Sequence, residues 1–452
     1  MCSRRYTELM VWDVVVVGGG PAGLFAAVSA AEWGARTIVL ERMPTPGRKL
    51  LASGGGHCNL THGGEVADFL DHYGGGDRPG AGGRFLRPAL YAFSNADLAA
   101  YCAERGVPLV EDRDGRVFPA SRRAQDVLDL LLGEACRERV EIRTGVRARS
   151  VEAKRGGFVV RAHDRGGPVA DGRTLILSTG GRSYPALGAT GDGYCLAASL
   201  GHQIVPPHPA LAPLIIERDA FAPFAGCAGV SLPGTAVAVV RGGRRQAEAR
   251  GDVLFTHRGL SGPAVLDLSR HVRPGDELRV PLLPSGGDLP TVAERLRARI
   301  EEHGKRTVVR VLHELGVPER LARSVVVAHG LAPGTRAADL PRDAHRALAV
   351  SLAGGRTSGH PFPVLALGGW DEALITRGGV RLSEVDPKTM GSRLIPGLFF
   401  AGEILDVDGD TGGYNLQAAF STGRLAGLNA ARIVLSRHLP PETMRAGGRS
   451  SA

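Results

Sequence analysis

From Asp13 the chain alternates short apolar runs with glycine-rich breaks, and this pattern lays out its first elements. Val14–Val17 is an uninterrupted β-branched run, as a strand buried on both faces reads. Gly18, Gly20 and Gly23 follow in G-x-G-x-x-G spacing. An Ala-rich helix then runs from Leu24 to Trp33, and after Gly34 a second apolar run, Thr37–Leu40, ends in Glu41. In such a unit the first glycine allows the tight turn. The second lets a pyrophosphate approach the backbone, and the third lets the helix pack on the strand. The helix N-terminus offers N–H groups and a partial positive charge to the same anion. Glu41, about twenty residues beyond the glycines, stands where a carboxylate accepts hydrogen bonds from a ribose. Strand, glycines, helix, strand and acid together predict a dinucleotide site.

After Glu41, Pro44, Pro46 and the run Gly54–Gly56 predict a loop, with Arg48 and Lys49 as cations that neutralise the pyrophosphate. Three consecutive glycines let backbone pass close to a flat ligand. Cys58 behind them reads either as a redox-active or proton-donating thiol or as a small packed residue. Residues 63–92 read as an irregular, mobile surface segment. Helices are predicted from Phe93 to Gly106, capped by Ser94 or Asn95, and from Ala124 to Arg139. From Val140 to Ser178 the pattern becomes that of a β-meander (VEIRT, RARSVEAK, GFVVRAH, RTLILST), which puts the backbone of Val146 within reach of the adenine. Thr179-Gly180-Gly181 ends a strand and opens a second glycine turn, RSYPALGATGDGY. Tyr184 in that turn is either a neighbour of the cofactor ring or a packed surface tyrosine. A further helix runs from Tyr194 to Gly201.

Pro206, Pro207, Pro209 and Pro213 mark a boundary. Short strands up to about residue 285, including LIIE, TAVAVVR and GDVLFTH, predict a small barrel or sandwich. Its FTHRGLSGP loop carries His257, a candidate general acid or base, or a loop-bracing histidine. Pro290–Gly355 reads as helical. From Phe362 the β signal returns, and Pro396–Glu403 forms a buried strand ending in Gly402 and Glu403. A glycine-rich turn through Gly413 then leads into a long Ala-rich helix, whose N-terminus over Gly412–Gln417 suits the partly anionic pyrimidine edge of a reduced flavin.

Composition changes this picture little. The 452 residues are 43% hydrophobic and 22% charged, a globular profile long enough for two or three domains. The net charge of +9 admits an anionic partner such as RNA. However, Lys49, Lys154, Lys305 and Lys388 are the only lysines and the arginines are dispersed, which reads equally as coding bias. Six cysteines without C-x-x-C or metal spacing point to reduced thiols, no metal site and a cytoplasmic setting. No stretch approaches the roughly 20 apolar residues that span a membrane.

Six segments in order carry a family resemblance: VVGGGPAGL, GRKLLASGGGHCNLTH, GRVFPAS, GGRSYPALGATGDGY, LFTHRGLSGPAVL and GGVRLSEVDPKTMGSRLIPGLFFAGEILDVDGDTGGYNLQAAFSTG. Together they resemble the BaiN/YhiN-like (aminoacetone-oxidase-type) FAD-dependent flavoproteins of the two-dinucleotide-binding-fold superfamily, over residues 13–435. The resemblance implies an α/β fold: a split Rossmann-type FAD-binding domain (1–205 and 357–438) with an inserted β-barrel-like domain (206–289), a helical subdomain (290–356) and a disordered tail (439–452). It implies that Gly18, Gly20, Gly23 and Glu41 hold the ADP half of FAD, and that Val146, Thr179 and Gly180 lie along it. Arg48, Lys49 and Asn59 would flank the pyrophosphate and flavin; Gly402, Glu403, Gly413, Asn415 and Leu416 would flank the ribityl chain and ring. The family pattern has Arg before Cys-Asn and Asn after the threonine. Here His57 and His62 stand there, so the substrate contacts of this loop depart from the pattern.

The implied activity is that of a nucleotide-binding oxidoreductase. NAD(P)H would reduce the flavin, which passes hydride to an electron-poor C=C bond in an enone-like small molecule or a uridine of rRNA. His257, Cys58 or Tyr184 would supply the proton. No second G-x-G-x-x-G follows a strand, so the nicotinamide would dock transiently. The same absence leaves open an oxidase of an amine or carbonyl compound. A reading of another class is an RNA- or partner-binding protein with structural FAD.

Overall fold

The glycine turn sits at the centre of a seven-stranded sheet. The computed structural model describes residues 10–163, 167–284, 286–355 and 358–436; the expected tail lies outside these. Two compact units divide the chain, Met1–His208 with Ile375–Ala452, and Pro209–Leu374. In the first, β1 (Val11–Val17), β2 (Thr37–Leu40), β3 (Glu141–Arg143), β4 (Ala148–Lys154), β5 (Gly157–Ala162) and β6 (Pro168–Leu177) run in the order β3-β2-β1-β6-β5-β4. Val14, Val15 and Val16 are fully buried, as their uninterrupted apolar run requires. Only β4, β5 and β6 form the expected antiparallel meander. β3 lies parallel to β2 at the sheet edge instead, because a helix precedes it and returns the chain in the same direction.

Besides the short Val66–Phe69 and Asp192–Ser199, five α-helices among the described residues precede the boundary at residue 208. α1 (Pro21–Ala31) is apolar all round, and ten of its residues are buried. The segment after Glu41, expected as a loop, contains a short helix, α2 (Arg48–Ala52), followed by a 3-10 turn in which Gly54 and Gly55 adopt left-handed φ of 56° and 65°. The segment 63–92, expected to be irregular and mobile, carries α3 (Ala81–Ala92) with Phe85, Leu86, Ala89 and Leu90 buried. Its glycines serve close packing: a Cβ on Gly82 or Gly83 would run into the carbonyl oxygens of Gly74 or Leu70. α4 (Asn95–Glu104) starts with a capping box, Asp97 N–H donating to Ser94 Oγ at 3.1 Å and Ser94 N–H to Asp97 Oδ2 at 2.8 Å. Ser94→Ala is expected to cost about 1 kcal/mol, read as a shifted denaturant midpoint at unchanged m-value. α5 (Ala124–Arg137) completes the set.

The second unit is a closed barrel with helices. β7 (Leu214–Ile216), β8 (Ser231–Arg241), β9 (Arg244–Phe255), β10 (Gly259–Ser261), β11 (Glu277–Val280) and β12 (His360–Leu367) close in the order β7-β10-β9-β8-β11-β12. Phe224, Phe255 and Phe362 fill the barrel, their ring centroids 5.1 to 6.0 Å apart. α6 (Leu289–Glu302), α7 (Val308–Glu314), α8 (Glu319–Ala328) and α9 (Arg342–Leu352) place Val292, Leu296, Leu312, Leu321 and Leu348 in that same core. The barrel and helices, expected as separate domains, therefore share one core. β12 belongs to it too, so the chain returns to the first unit at Ile375 and not at residue 357.

On its return the chain adds β13 (Leu398–Phe400), parallel to β6 with Leu175 opposite Leu398, and the 22-residue α10 (Tyr414–Leu435). α10 crosses α1 closely. A Cβ on Gly423 or Gly427 would meet the backbone of Ala22 or Ala26.

Candidate functional site

The three glycines of the turn act differently, and the structure separates their roles. Gly18 has φ 109°, and a side chain there would meet Ser178 backbone. A Cβ on Gly23 would run into the Gly18 carbonyl oxygen, so α1 can pack against the turn only with glycine at this position. A Cβ on Gly20, by contrast, would meet nothing within 4 Å. Open space faces Gly20, at the N-terminus of α1, where a pyrophosphate fits.

Glu41 at the end of β2 accepts from Gly19 N–H at 2.6 Å through Oε2 and from Met43 N–H at 2.7 Å through Oε1. A carboxylate offers about four lone-pair sites, so this pair of bonds orients Glu41 and leaves acceptor capacity for a ribose. Glu41 lines a small cleft with Gly18, Val146 and Thr179. Val146 N–H is taken by the Glu41 carbonyl at 2.8 Å, which leaves its own carbonyl as the backbone group to reach an adenine. Thr179 Oγ1 is buried without a hydrogen-bond partner among the described residues, and Gly180 beside it faces open space with φ 72°. The cleft wall also holds Arg42, Arg147 and Asp192, which sequence reasoning missed. Arg147 forks onto Asp192 at 2.7 and 2.9 Å, and Arg42 joins them at 3.3 Å. An open Gly20, an orphaned hydroxyl and an oriented carboxylate fit the ADP half of FAD.

Gly47 N–H donates to Gly19 O at 2.9 Å and so ties the start of α2 to the turn, bringing the half-buried Arg48 and Lys49 to it. Lys49 Nζ donates to Glu403 Oε2 at 2.6 Å and to Ser183 Oγ at 2.7 Å. Glu403 Oε1 accepts from Ser183 Oγ at 3.1 Å and from Thr376 N–H at 2.8 Å. One ion pair thus gathers the predicted Lys49 and Glu403 with Ser183 and Thr376, two residues that no local pattern marks. Gly402 sits against Ala22 at the start of α1 with φ 73°, a backbone state that favours glycine.

Asn59, in the orientation that satisfies its neighbours, donates to Val117 O and Thr61 O and accepts from Gly413 N–H at 3.2 Å. It therefore joins the loop after α2 to the N-terminus of α10. Gly413 has φ 103° and leaves no room for a Cβ beside the Thr61 carbonyl. Asn415, expected to hold the ring or ribityl chain, instead spends its side chain on the preceding turn: it accepts from Gly409 N–H at 2.8 Å and donates to the Gly409 and Asp410 carbonyls. Leu416 is half-buried against the core around Leu24 and Phe25. What α10 offers a flavin is its N-terminal backbone, held in place by Asn59 and Asn415.

The three expected proton donors fare differently. Cys58 is fully buried among Leu24, Leu50 and Leu60, and burial pushes its thiol up to about 12, so it packs and keeps its proton. Tyr184, half-buried, has φ 55° immediately before Pro185. This left-handed state is sparsely populated for a tyrosine. His257 belongs to the second unit, exposed in the β9–β10 turn, and the constellation above is built without it. A cavity of about 580 Å³ in the first unit lies beside α4 and α5, where Arg105 and Glu134 line it and pair at 2.6 Å. Arg105 and Glu134 satisfy each other there, whereas Gly18 and Glu41 line the smaller cleft. Among the described residues no His, Cys, Asp and Glu cluster could hold a metal, and no helix is long and apolar enough to cross a membrane.

The model of the HI0933-like protein Rossmann domain matches residues 12–429. This chain belongs to the HI0933-like family. A 3-dehydro-bile acid delta(4,6)-reductase of Clostridium scindens is 34% identical over 92% of this chain and 98% of its own. Ribosomal RNA dihydrouridine synthases of Escherichia coli and Haemophilus influenzae are 31% and 30% identical, covering 91% and 92% of this chain and 96% and 98% of theirs. The HI0933-like chain is an FAD-dependent oxidoreductase with a split Rossmann-type domain, as the resemblance implied.

Proposed function

We propose that the protein is an NAD(P)H-driven reductase that saturates an electron-poor C=C bond of a small enone-like molecule. Bound FAD supplies the hydride chemistry. The chain's own residues bind and orient the cofactor: the glycine turn and Glu41 at the ADP end, Lys49 with Glu403 in the middle, and the N-terminus of α10 at the ring. The relatives' names share a chemistry, since a bile acid Δ4,6-reductase and a dihydrouridine synthase both saturate a C=C bond beside a carbonyl. One observation favours a small substrate. Several arginines of the second unit's helical part are paired with their own neighbours: Arg297 with Glu294 and Arg299 with Glu302, while Arg306 and Arg310 share Glu314. An RNA-facing helical surface needs those charges for phosphates. The net charge of +9 and the two dihydrouridine synthase relatives favour a uridine of rRNA as the second reading. The unpaired Cys58, Cys102, Cys136, Cys195 and Cys227 accord with a reducing, cytoplasmic setting.

The test is anaerobic mixing of the yellow holoprotein with NADH or NADPH, followed by an enone or a uridine-containing RNA. The expected result is bleaching of the flavin absorbance by one nicotinamide and its return on adding the enone. Bleaching that only RNA reverses selects the second reading. No bleaching with either donor overturns the reductase assignment in favour of an oxidase or a structural flavin.

A further inference from the structure

A histidine outside every predicted site is built into the N-terminal turn of α10. His72 Nδ1 lies 2.9 Å from Asp410 Oδ2, and Asp410 N–H donates back to the His72 carbonyl at 3.0 Å, so side chain and backbone clamp the two residues together. A carboxylate can only accept, so Nδ1 carries the hydrogen and Nε2 becomes the proton-exchanging nitrogen. The His72 ring lies flat on Tyr414, with centroids 4.2 Å apart and an interplanar angle of 14°. Tyr414 opens α10, and its ring also meets His62, stacked at 5.0 Å, and Phe69, edge-on at 5.1 Å, while the Tyr73 hydroxyl donates to the Tyr414 carbonyl at 2.8 Å. The turn beneath is held by Asn415 through three hydrogen bonds. The His72 side chain is nonetheless 40% exposed, a large fraction for a group stacked and hydrogen-bonded on a rigid turn. An imidazole oriented by a carboxylate, fixed by an aromatic face and open at its far edge is how an acid–base group is preorganised.

We propose that His72 is the acid of the reaction, with Asp410 and Tyr414 as its positioning residues. The inference rests on the reductase reading above. Bound FAD, once reduced, would supply hydride to one carbon of the substrate's C=C and be oxidised in doing so, the π pair moving toward the conjugated carbonyl. The Nε2–H bond of protonated His72 then breaks, and its proton forms the second C–H bond at the other carbon. His72 is left neutral and is recharged from water at its exposed edge. The charged and titratable groups against it are Asp410 and Tyr414, with His62 and Tyr73 packed on the same tyrosine.

The experiment compares the wild-type holoprotein with His72→Gln and Asp410→Asn. Each is reduced anaerobically with dithionite and mixed with a 4-en-3-one steroid as probe. Reoxidation in His72→Gln is expected to slow by about 10²- to 10⁴-fold, the usual contribution of a positioned acid, with partial rescue by added imidazole. The flavin spectrum should stay unchanged. Independently of turnover, ¹⁵N NMR of the His72 ring should show a single Nδ1–H tautomer in wild type and a mixture in Asp410→Asn. Wild-type reoxidation with an indifferent His72→Gln overturns this assignment alone, as does an Nε2–H tautomer in wild type. A wild type that neither the steroid nor a uridine RNA reoxidises overturns the reductase reading, and this one with it.

Discussion

Gly20→Val protein is expected to purify colourless, yet with the far-UV CD and thermal midpoint of the FAD-stripped wild type. The reason is the asymmetry among the three glycines. A Cβ on Gly20 meets no atom of the chain within 4 Å, and its φ of −78° and ψ of −178° suit a β-branched residue. The added methyls therefore cost the folded chain little and project into the space the pyrophosphate needs. FAD affinity should fall at least about 1,000-fold, roughly 4 kcal/mol, measured by flavin fluorescence quenching on titration. Gly23→Ala makes the opposite error. Its methyl meets the Gly18 carbonyl and Ser178 Oγ, which belong to the turn and the neighbouring strand, so α1 must lift from the sheet and stability falls together with colour. Retention of FAD by Gly20→Val would place the dinucleotide elsewhere and remove the basis of the site.

How much of this was legible in the sequence follows from how local each signal is. The run Val14–Val17, the glycine spacing and Glu41 lie within thirty residues of one another, and each acts through its immediate backbone. Glycines 82 and 83 look the same in a sequence as flexible glycines. Only the closeness of Gly74 and Leu70 shows that they admit a buried helix, which is why residues 63–92 were misread as mobile. The strands His360–Leu367 and Leu214–Ile216 are both legible as strands, but their pairing with each other and with Glu277–Val280 is not, because an apolar run does not specify the sheet it joins. The Lys49–Glu403 pair links residues 354 positions apart, and a family resemblance flagged both ends without their contact. Ser183, Thr376, His72 and Asp410 had no such flag. Their roles come from what they touch. Cys58 reads from the motif either as a chemical thiol or as a small packed residue, and only its burial among leucines selects the packed one.

The second unit is expected to lose stability steeply on mild acidification, through His360. His329 Nδ1 lies 2.8 Å from the Val325 carbonyl, which can only accept, so His329 Nε2 is the acceptor for Ser351 O–H at 3.1 Å. Ser351 Oγ then accepts from His360 Nδ1–H at 3.2 Å. His360 donates this Nδ1–H whether neutral or charged, so its charge is opposed by its surroundings and not by the relay. Burial, with His329 and Arg279 nearby, pushes His360 from the ordinary 6.5 down to about 3. The folded form thus binds fewer protons than the unfolded chain below pH 6.5, so this contribution is complete above that value and is lost as pH falls toward 3. The slope is about 1.4 kcal/mol per pH unit, giving a loss of about 2 kcal/mol between pH 7 and 5. Asp406, in the other unit, opposes this, because burial raises its carboxyl to about 6 and it gains as pH falls. The comparison is therefore wild type against His360→Gln, whose amide can still meet Ser351 but does not titrate, with every other group in common. Urea midpoints at pH 7 and 5 should differ for wild type by about 2 kcal/mol more than for the variant. Equal pH dependence in the two proteins would mean that His360 protonates in place, and that its buried surroundings tolerate a charged ring.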